Sequence, residues 1–198
     1  MDKIFTQATV LIIPGLRDHV AEHWQTHLEA RLETVRSVPP QTTDKLNCAK
    51  RVAAIQAELD QIEGPVILVA HSAGVLMAVH WAAQHPQYQA KIKGALLVTP
   101  PDLNQSWPDN YPSPEILRQE GWDPVPTQVL PFPSIVIGST NDYLAHAEVV
   151  EAMANTWESE WVNLGEVGHL NPAAGFGYWP QAEDFIRQLD QIKIKTNV

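Results

Sequence analysis

The sequence predicts an α/β fold, a mostly parallel central sheet flanked by helices. Three observations predict it. Strand-like and helix-like segments alternate along the chain, as parallel strands joined by crossover helices require. One apolar run, Val66-Ile67-Leu68-Val69-Ala70, stops abruptly at His71-Ser72, and helix-compatible residues begin at Ala73. The 198 residues suit a single domain, 1–198, long enough to bury a sizeable core.

Taken in order, Thr9–Ile13 reads as a buried strand. Val20–Thr34 reads as a helix because Trp24, Leu28 and Leu32 fall at helical spacing. Thr34–Val38 is a short second strand, stopped by Pro39-Pro40. Thr43–Ile62 is helical: Leu46, Ala49 and Ala53 share a face that Ile55, Leu59 and Ile62 extend. Gly64-Pro65 breaks the chain before the strand Val66–Ala70. Helix Ala73–Gln84 and strand Ala95–Val98 follow. Ile135–Gly138 and Trp161–Leu164 are the next strands, and Glu148–Thr156 and Gln181–Ile192 the last helices.

One stretch differs. Between Pro100 and Pro133 lie nine of the 16 prolines, a density that prevents a long helix or a central strand. It reads as an ordered excursion over the top of the sheet. Trp107, Tyr111 and Trp122 within it either anchor it to the body or line a substrate pocket.

Bulk properties exclude several functions. A net charge of −10 argues against a nucleic-acid partner, since phosphate binding needs clustered Lys and Arg. Cys48 is the only cysteine, so no intrachain disulfide forms, and it reads as structural. The N-terminal Met1-Asp2-Lys3-Ile4-Phe5-Thr6-Gln7-Ala8 has no signal-peptide pattern, and no segment approaches a membrane span. A cytoplasmic location is the expectation. Dinucleotide and phosphate-loop glycine patterns are absent, so no cofactor is expected. His19, His23 and His27 recur every four residues and form a ladder if all lie on one helix. No supporting ligand pattern accompanies them, so the ladder reads as a helix face and no metal is expected.

Chemistry concentrates at Ser72. A serine on a sharp strand-to-helix turn is held exposed, the geometry of a nucleophile. Its hydroxyl needs a base to take its proton, histidine being the usual one, and an acid behind the base fixes the tautomer. In α/β-hydrolases these residues follow the order Ser, Asp or Glu, His. Asp142 and then His169 come after Ser72, each just beyond a predicted strand. From position alone Asp142 is equally a turn residue or a helix cap. Asp102 is its rival, though it lies in a Pro-rich turn that favours a structural role. Among eight histidines, His169 alone is both late enough and in a loop after a strand; His146 is a weaker candidate. His71 is expected to pack structurally on the far side of the turn, and His80 and His85 to face solvent or neighbouring turns. An oxyanion site needs backbone N–H donors. The Ala73 N–H is one, and the Leu16 N–H, after Pro14-Gly15, is the preferred second.

The chain resembles the small α/β-hydrolase family that contains retinoblastoma-binding protein 9 and the bacterial YdeN-like proteins. The similar stretches run nearly end to end: Val10-Leu11-Ile12-Ile13-Pro14-Gly15, Glu22-His23-Trp24 and Ala70-His71-Ser72-Ala73-Gly74, followed by Pro100-Pro101-Asp102. Gly138-Ser139-Thr140-Asn141-Asp142, Gly168-His169-Leu170-Asn171 and Gly175-Phe176-Gly177-Tyr178-Trp179-Pro180 complete them. The resemblance implies an α/β-hydrolase fold with little or no cap and Ser72, Asp142 and His169 as triad. Two positions depart from it. Ala70 stands where the elbow usually begins with glycine, and Arg17 where relatives often carry a small residue. Leu46-Asn47-Cys48-Ala49 is followed by Lys50, so no Leu-x-Cys-x-Glu motif is present and a retinoblastoma-binding role does not carry over. The function expected is a serine hydrolase, a carboxylesterase acting on a small acyl substrate through an acyl-enzyme. The alternative is a hydrolase-fold binding or scaffold protein with weak catalysis.

Overall fold

In a computed structural model, which describes residues 3–193, six strands form one sheet: β1 (Thr9–Ile13), β2 (Val35–Ser37), β3 (Val66–His71), β4 (Ile92–Val98), β5 (Ser134–Gly138) and β6 (Glu160–Asn163). Met1 and Asp2 of the N-terminal reading, and residues 194–198, lie outside the described residues. The strand order is β2-β1-β3-β4-β5-β6, and every neighbouring pair is parallel. The helices are α1 (Trp24–Arg31), α2 (Cys48–Leu59), α3 (Ala73–Gln84), α4 (Pro114–Gln119), α5 (Ala147–Thr156) and α6 (Gln181–Asp190).

β3 and β4 are buried along their whole length. That is why they read as unbroken apolar runs and not as alternating ones. Side chains alternate between two cores. Leu11, Ile13, Leu68 and Ala70 pack with α2, α3 and α5, while Val10, Ile12, Ile67 and Val69 pack with α1 and α6.

The order of the strands fixes where a site can form. The chain runs outward from β1 to β2, then returns to place β3 on the other side of β1. The connection leaving β1 leads to α1 on one face, and the one leaving β3 leads to α3 on the other. The carboxyl ends of β1 and β3 therefore open a crevice, the switch point where such sheets bind ligands. Buried Gln25 bridges both strand ends, its amide donating to the Ile13 and Val69 carbonyls at 3.3 and 3.1 Å.

Several elements differ from the sequence reading. The first helix begins only at Trp24, capped by His23, whose Nδ1 accepts from the Gln25 N–H at 3.2 Å. His19 and His23 thus precede the helix, and the three-histidine ladder does not exist. The second helix starts at Cys48 because the Asn47 side chain caps it, accepting from the Lys50 N–H at 3.0 Å. The Pro-rich excursion contains a short helix, α4, that starts at Pro114 behind a Ser113 cap. His80 is buried, 3.0 Å from the Trp122 carbonyl, so it faces a neighbouring turn and not solvent. Among the described residues, no helix is long and apolar enough to cross a membrane.

Candidate active site

Ser72 stands at the switch point, between the end of β3 and the start of α3. Its backbone is forced into φ 56°, ψ −129°, a region L-residues rarely occupy, while its N–H donates to the Val98 carbonyl at 2.9 Å. Two glycines make this turn possible. A Cβ at Gly15 would stand 3.2 Å from the Ser72 Cβ, so the loop after β1 packs its backbone directly on the serine. A Cβ at Gly74 would collide with the Ile13 carbonyl and lie 2.8 Å from that of Pro14. Ala70, where glycine is usual, is accommodated as a fully buried core residue of β3.

The loops after β5 and β6 bring the other two residues to Ser72. His169 Nε2 lies 2.8 Å from Ser72 Oγ. On the far side of the ring, Nδ1 lies 2.8 and 3.0 Å from the Asp142 carboxylate oxygens. The carboxylate can only accept, so Nδ1 carries the proton and Nε2 is free to accept from the serine. Asp142 is held in turn by the Leu144 N–H, 2.9 Å from Oδ1. Both Asp142 and His169 are buried.

Sequence reading missed the residues that fasten the two loops together. Asn141 Oδ1 accepts from the Gly168 N–H at 2.6 Å, and Ser139 Oγ accepts from the Val167 N–H at 3.2 Å. Both lie in the stretch that carries the family resemblance, which was the available signal. His71 does pack structurally, but against the site: its Nε2 donates to the His169 carbonyl at 2.9 Å, and its ring lies 4.6 Å from that of His23. Burial, then the neighbouring histidines, push the His71 pKa well down; burial and His169 lower that of His23 to about 4. These two rings are neutral supports.

The rival candidates fall elsewhere. Asp102 turns inward to accept from the Asn104 N–H at 2.8 Å. His146 is an exposed cap of α5. His85 stacks on Trp81. Cys48 is buried, and burial pushes its thiol up to about 11, so it stays protonated. Among the described residues, no group of three His, Cys, Asp or Glu side chains is set to hold a metal ion.

A cavity of about 150 Å³ opens above Ser72, walled by Leu16, Arg17, Val20, Trp107 and Tyr111. Leu16 and Ala73, the expected oxyanion donors, both line it. Trp107, Tyr111 and Trp122 of the Pro-rich stretch divide their roles. Trp122 is an anchor, fully buried with its N–H on the Leu46 carbonyl at 2.6 Å. Trp107 and Tyr111 face the cavity. The Tyr111 hydroxyl lies 2.9 Å from that of Tyr143, to which the Asn171 amide donates at 2.7 Å.

Comparison with known proteins agrees with this architecture. Residues 10–188 match the family described as serine hydrolase. A YdeN-like hydrolase from Pectobacterium atrosepticum is 31% identical, with 94% of this chain and 92% of that one covered at a TM-score of 0.78. The ydeN gene product of B. subtilis superposes with a TM-score of 0.75 at 18% identity, over 92% of this chain and 98% of that one. An esterase domain from a Rhodothermus marinus protein has the same fold, with a TM-score of 0.65 at 14% identity over 93% and 87% of the two chains. Among curated proteins there is no match.

Proposed function

The chain belongs to the serine hydrolase family and is similar to its YdeN-like members, and from that premise we propose that it is a carboxylesterase for small acyl esters. One observation carries the reading: an unbroken hydrogen-bonded path runs from the Asp142 carboxylate through the His169 ring to Ser72 Oγ, at the floor of the cavity.

Ser72 Oγ attacks the acyl carbon while its proton moves to His169 Nε2. Asp142 holds the ring and stabilises the imidazolium. The Ala73 and Leu16 N–H groups receive the oxyanion. Collapse breaks the acyl–oxygen bond, and the departing alkoxide takes the proton from Nε2. Water, deprotonated by the same nitrogen, then releases the carboxylic acid and restores Ser72. The strained backbone of Ser72 supports this role, since strain of that kind collects where a side chain must be held for a reaction. A cavity of about 150 Å³ accepts a group the size of benzene, which favours short acyl chains. A single buried thiol with no disulfide supports a cytoplasmic setting.

A fluorophosphonate probe should label the wild-type protein at Ser72. Ser72→Ala should lose labelling, and turnover of p-nitrophenyl esters should fall by at least ~10³-fold. Across graded acyl lengths, kcat/KM should peak at short chains. Full labelling of Ser72→Ala would overturn the assignment. No labelling of the wild type, with a stable protein partner in pull-downs, would favour the scaffold alternative.

A further inference from the structure

Arg17 is the basic residue of the cavity wall that the acyl-transfer chemistry leaves unused. It follows Leu16, is exposed, and holds its guanidinium over the Tyr111 ring, with Cζ 4.8 Å from the centroid. That platform is fixed, because the Tyr111 hydroxyl is tied to Tyr143, and Tyr143 to Asn171. Burial and the Tyr143 hydroxyl raise the Tyr111 pKa, so the phenol stays neutral and supplies no counter-charge.

The carboxylates nearby are already engaged. Asp18, the acidic residue lining the cavity, pairs at 3.0 Å with Arg51, a buried guanidinium that also reaches the Lys45 carbonyl. Asp142 lies behind His169. Among the described residues, no carboxylate lies within ion-pair distance of Arg17. The chain as a whole carries −10, so its far field repels anions. A guanidinium without a counter-ion at the cavity reverses that field locally, and its planar donor fork matches a carboxylate.

Position selects the part of the substrate concerned. The Tyr111 ring stands edge-on to His169, 6.5 Å between centroids. The guanidinium thus rests on a ring that is itself the neighbour of His169, the group whose Nε2 protonates the departing alkoxide. We infer that Arg17 is a specificity residue, selecting esters whose alcohol portion carries a carboxylate. This rests on the hydrolase reading above.

The test uses two butyrate esters of matched shape, one of 3-hydroxybenzoate and one of its uncharged amide, 3-hydroxybenzamide. The readout is the ratio of their kcat/KM values. In the wild type, the carboxylate ester should be favoured by roughly tenfold at low salt, mostly through KM, and less at high salt. Arg17→Gln should bring the ratio to about one, with Arg17→Lys between. A ratio that Arg17→Gln leaves unchanged, or a wild type that favours the amide, overturns the inference while leaving the hydrolase reading intact. If neither ester is hydrolysed and Ser72 takes no fluorophosphonate, both readings fall together.

Discussion

The two edges of the sheet each hold a carboxylate rich in donors, and they use it differently. At the amino-end edge, Asp190 accepts the Gln7 and Ala8 N–H groups at 2.7 and 3.1 Å and the Lys93 ammonium at 3.1 Å. The Lys93 ammonium also donates to Gln7 Oε1 at 3.3 Å, so the network closes on itself and fastens the chain before β1 to the end of α6 and the start of β4. At the carboxyl edge, Asp142 accepts the Leu144 N–H and the His169 ring. The second nitrogen of that ring passes the connection to a hydroxyl in a cavity. A carboxylate whose donors end on it is a fastener. One whose donor is an imidazole with a second partner lies on a path along which a proton can move.

The same substitution at both carboxylates is the strongest way to break this contrast. Asp142→Asn should lower kcat for ester turnover by about 10³–10⁴-fold, because the amide presents the wrong partner to Nδ1. Asp190→Asn should leave kcat within twofold and cost roughly 1–3 kcal/mol of stability, since the Lys93 ammonium loses its counter-charge in a buried setting. Ester kinetics and urea denaturation on both variants decide it. Equal effects on turnover would erase the distinction between the two edges.

Much of the carboxyl edge was legible in the sequence, for local reasons. The elbow announces itself because β3, buried on both faces, must be an apolar run, and the run stops at a polar dipeptide before helix-compatible residues. The order Ser72, Asp142, His169 could be read because each follows a strand. What could not be read depends on contacts across the chain. The start of α1 was misplaced because helical spacing of Trp24 and Leu28 extends backwards on paper, and a histidine is an unusual cap. The burial of His80 is decided by the Trp122 carbonyl, 42 residues away. Gln25 carries no local mark of its role, the joining of two strand ends through its side-chain amide. The donors of Asp190 lie 97 to 183 residues away along the chain, which no local pattern announces.

A second prediction concerns how tightly the carboxyl edge is built. α3 approaches the loop after β1 so closely that Gly74 has no room for a side chain. The obstructing atoms are backbone carbonyls, which cannot move aside by changing rotamer. Gly74→Ala should therefore cost about 3 kcal/mol of overpacking and displace Ser72 relative to Gly15, so both stability and turnover should fall. At the opposite extreme, Gly64 has open space around its Cβ position, and only its positive φ of 80° opposes a side chain. Gly64→Ala should cost about 1 kcal/mol and spare activity. Thermal unfolding and ester turnover measured together separate the two effects.

The last expected effect is an acid sensitivity confined to the carboxyl edge. His23 and His71 are buried there against each other and against His169, and both have pKa values lowered by burial first and by neighbouring histidines second. In the unfolded chain they take a proton near pH 6.5; in the fold His23 takes one only near pH 4. Between those values the unfolded state binds more protons, so stability is full above pH 6.5 and declines as the pH falls toward 4. The loss by pH 5 should be roughly 1–2 kcal/mol for His23. His23→Asn keeps a good cap for α1 and removes the titration, so its urea midpoint should fall less between pH 7 and pH 5 than that of the wild type. Hydrogen exchange locates the effect: at pH 5, amides in the loop after β1 and around His169 should lose protection before those bound by Asp190. Uniform loss across both edges would show that acid acts on the whole fold, and that the buried histidines are not its point of entry.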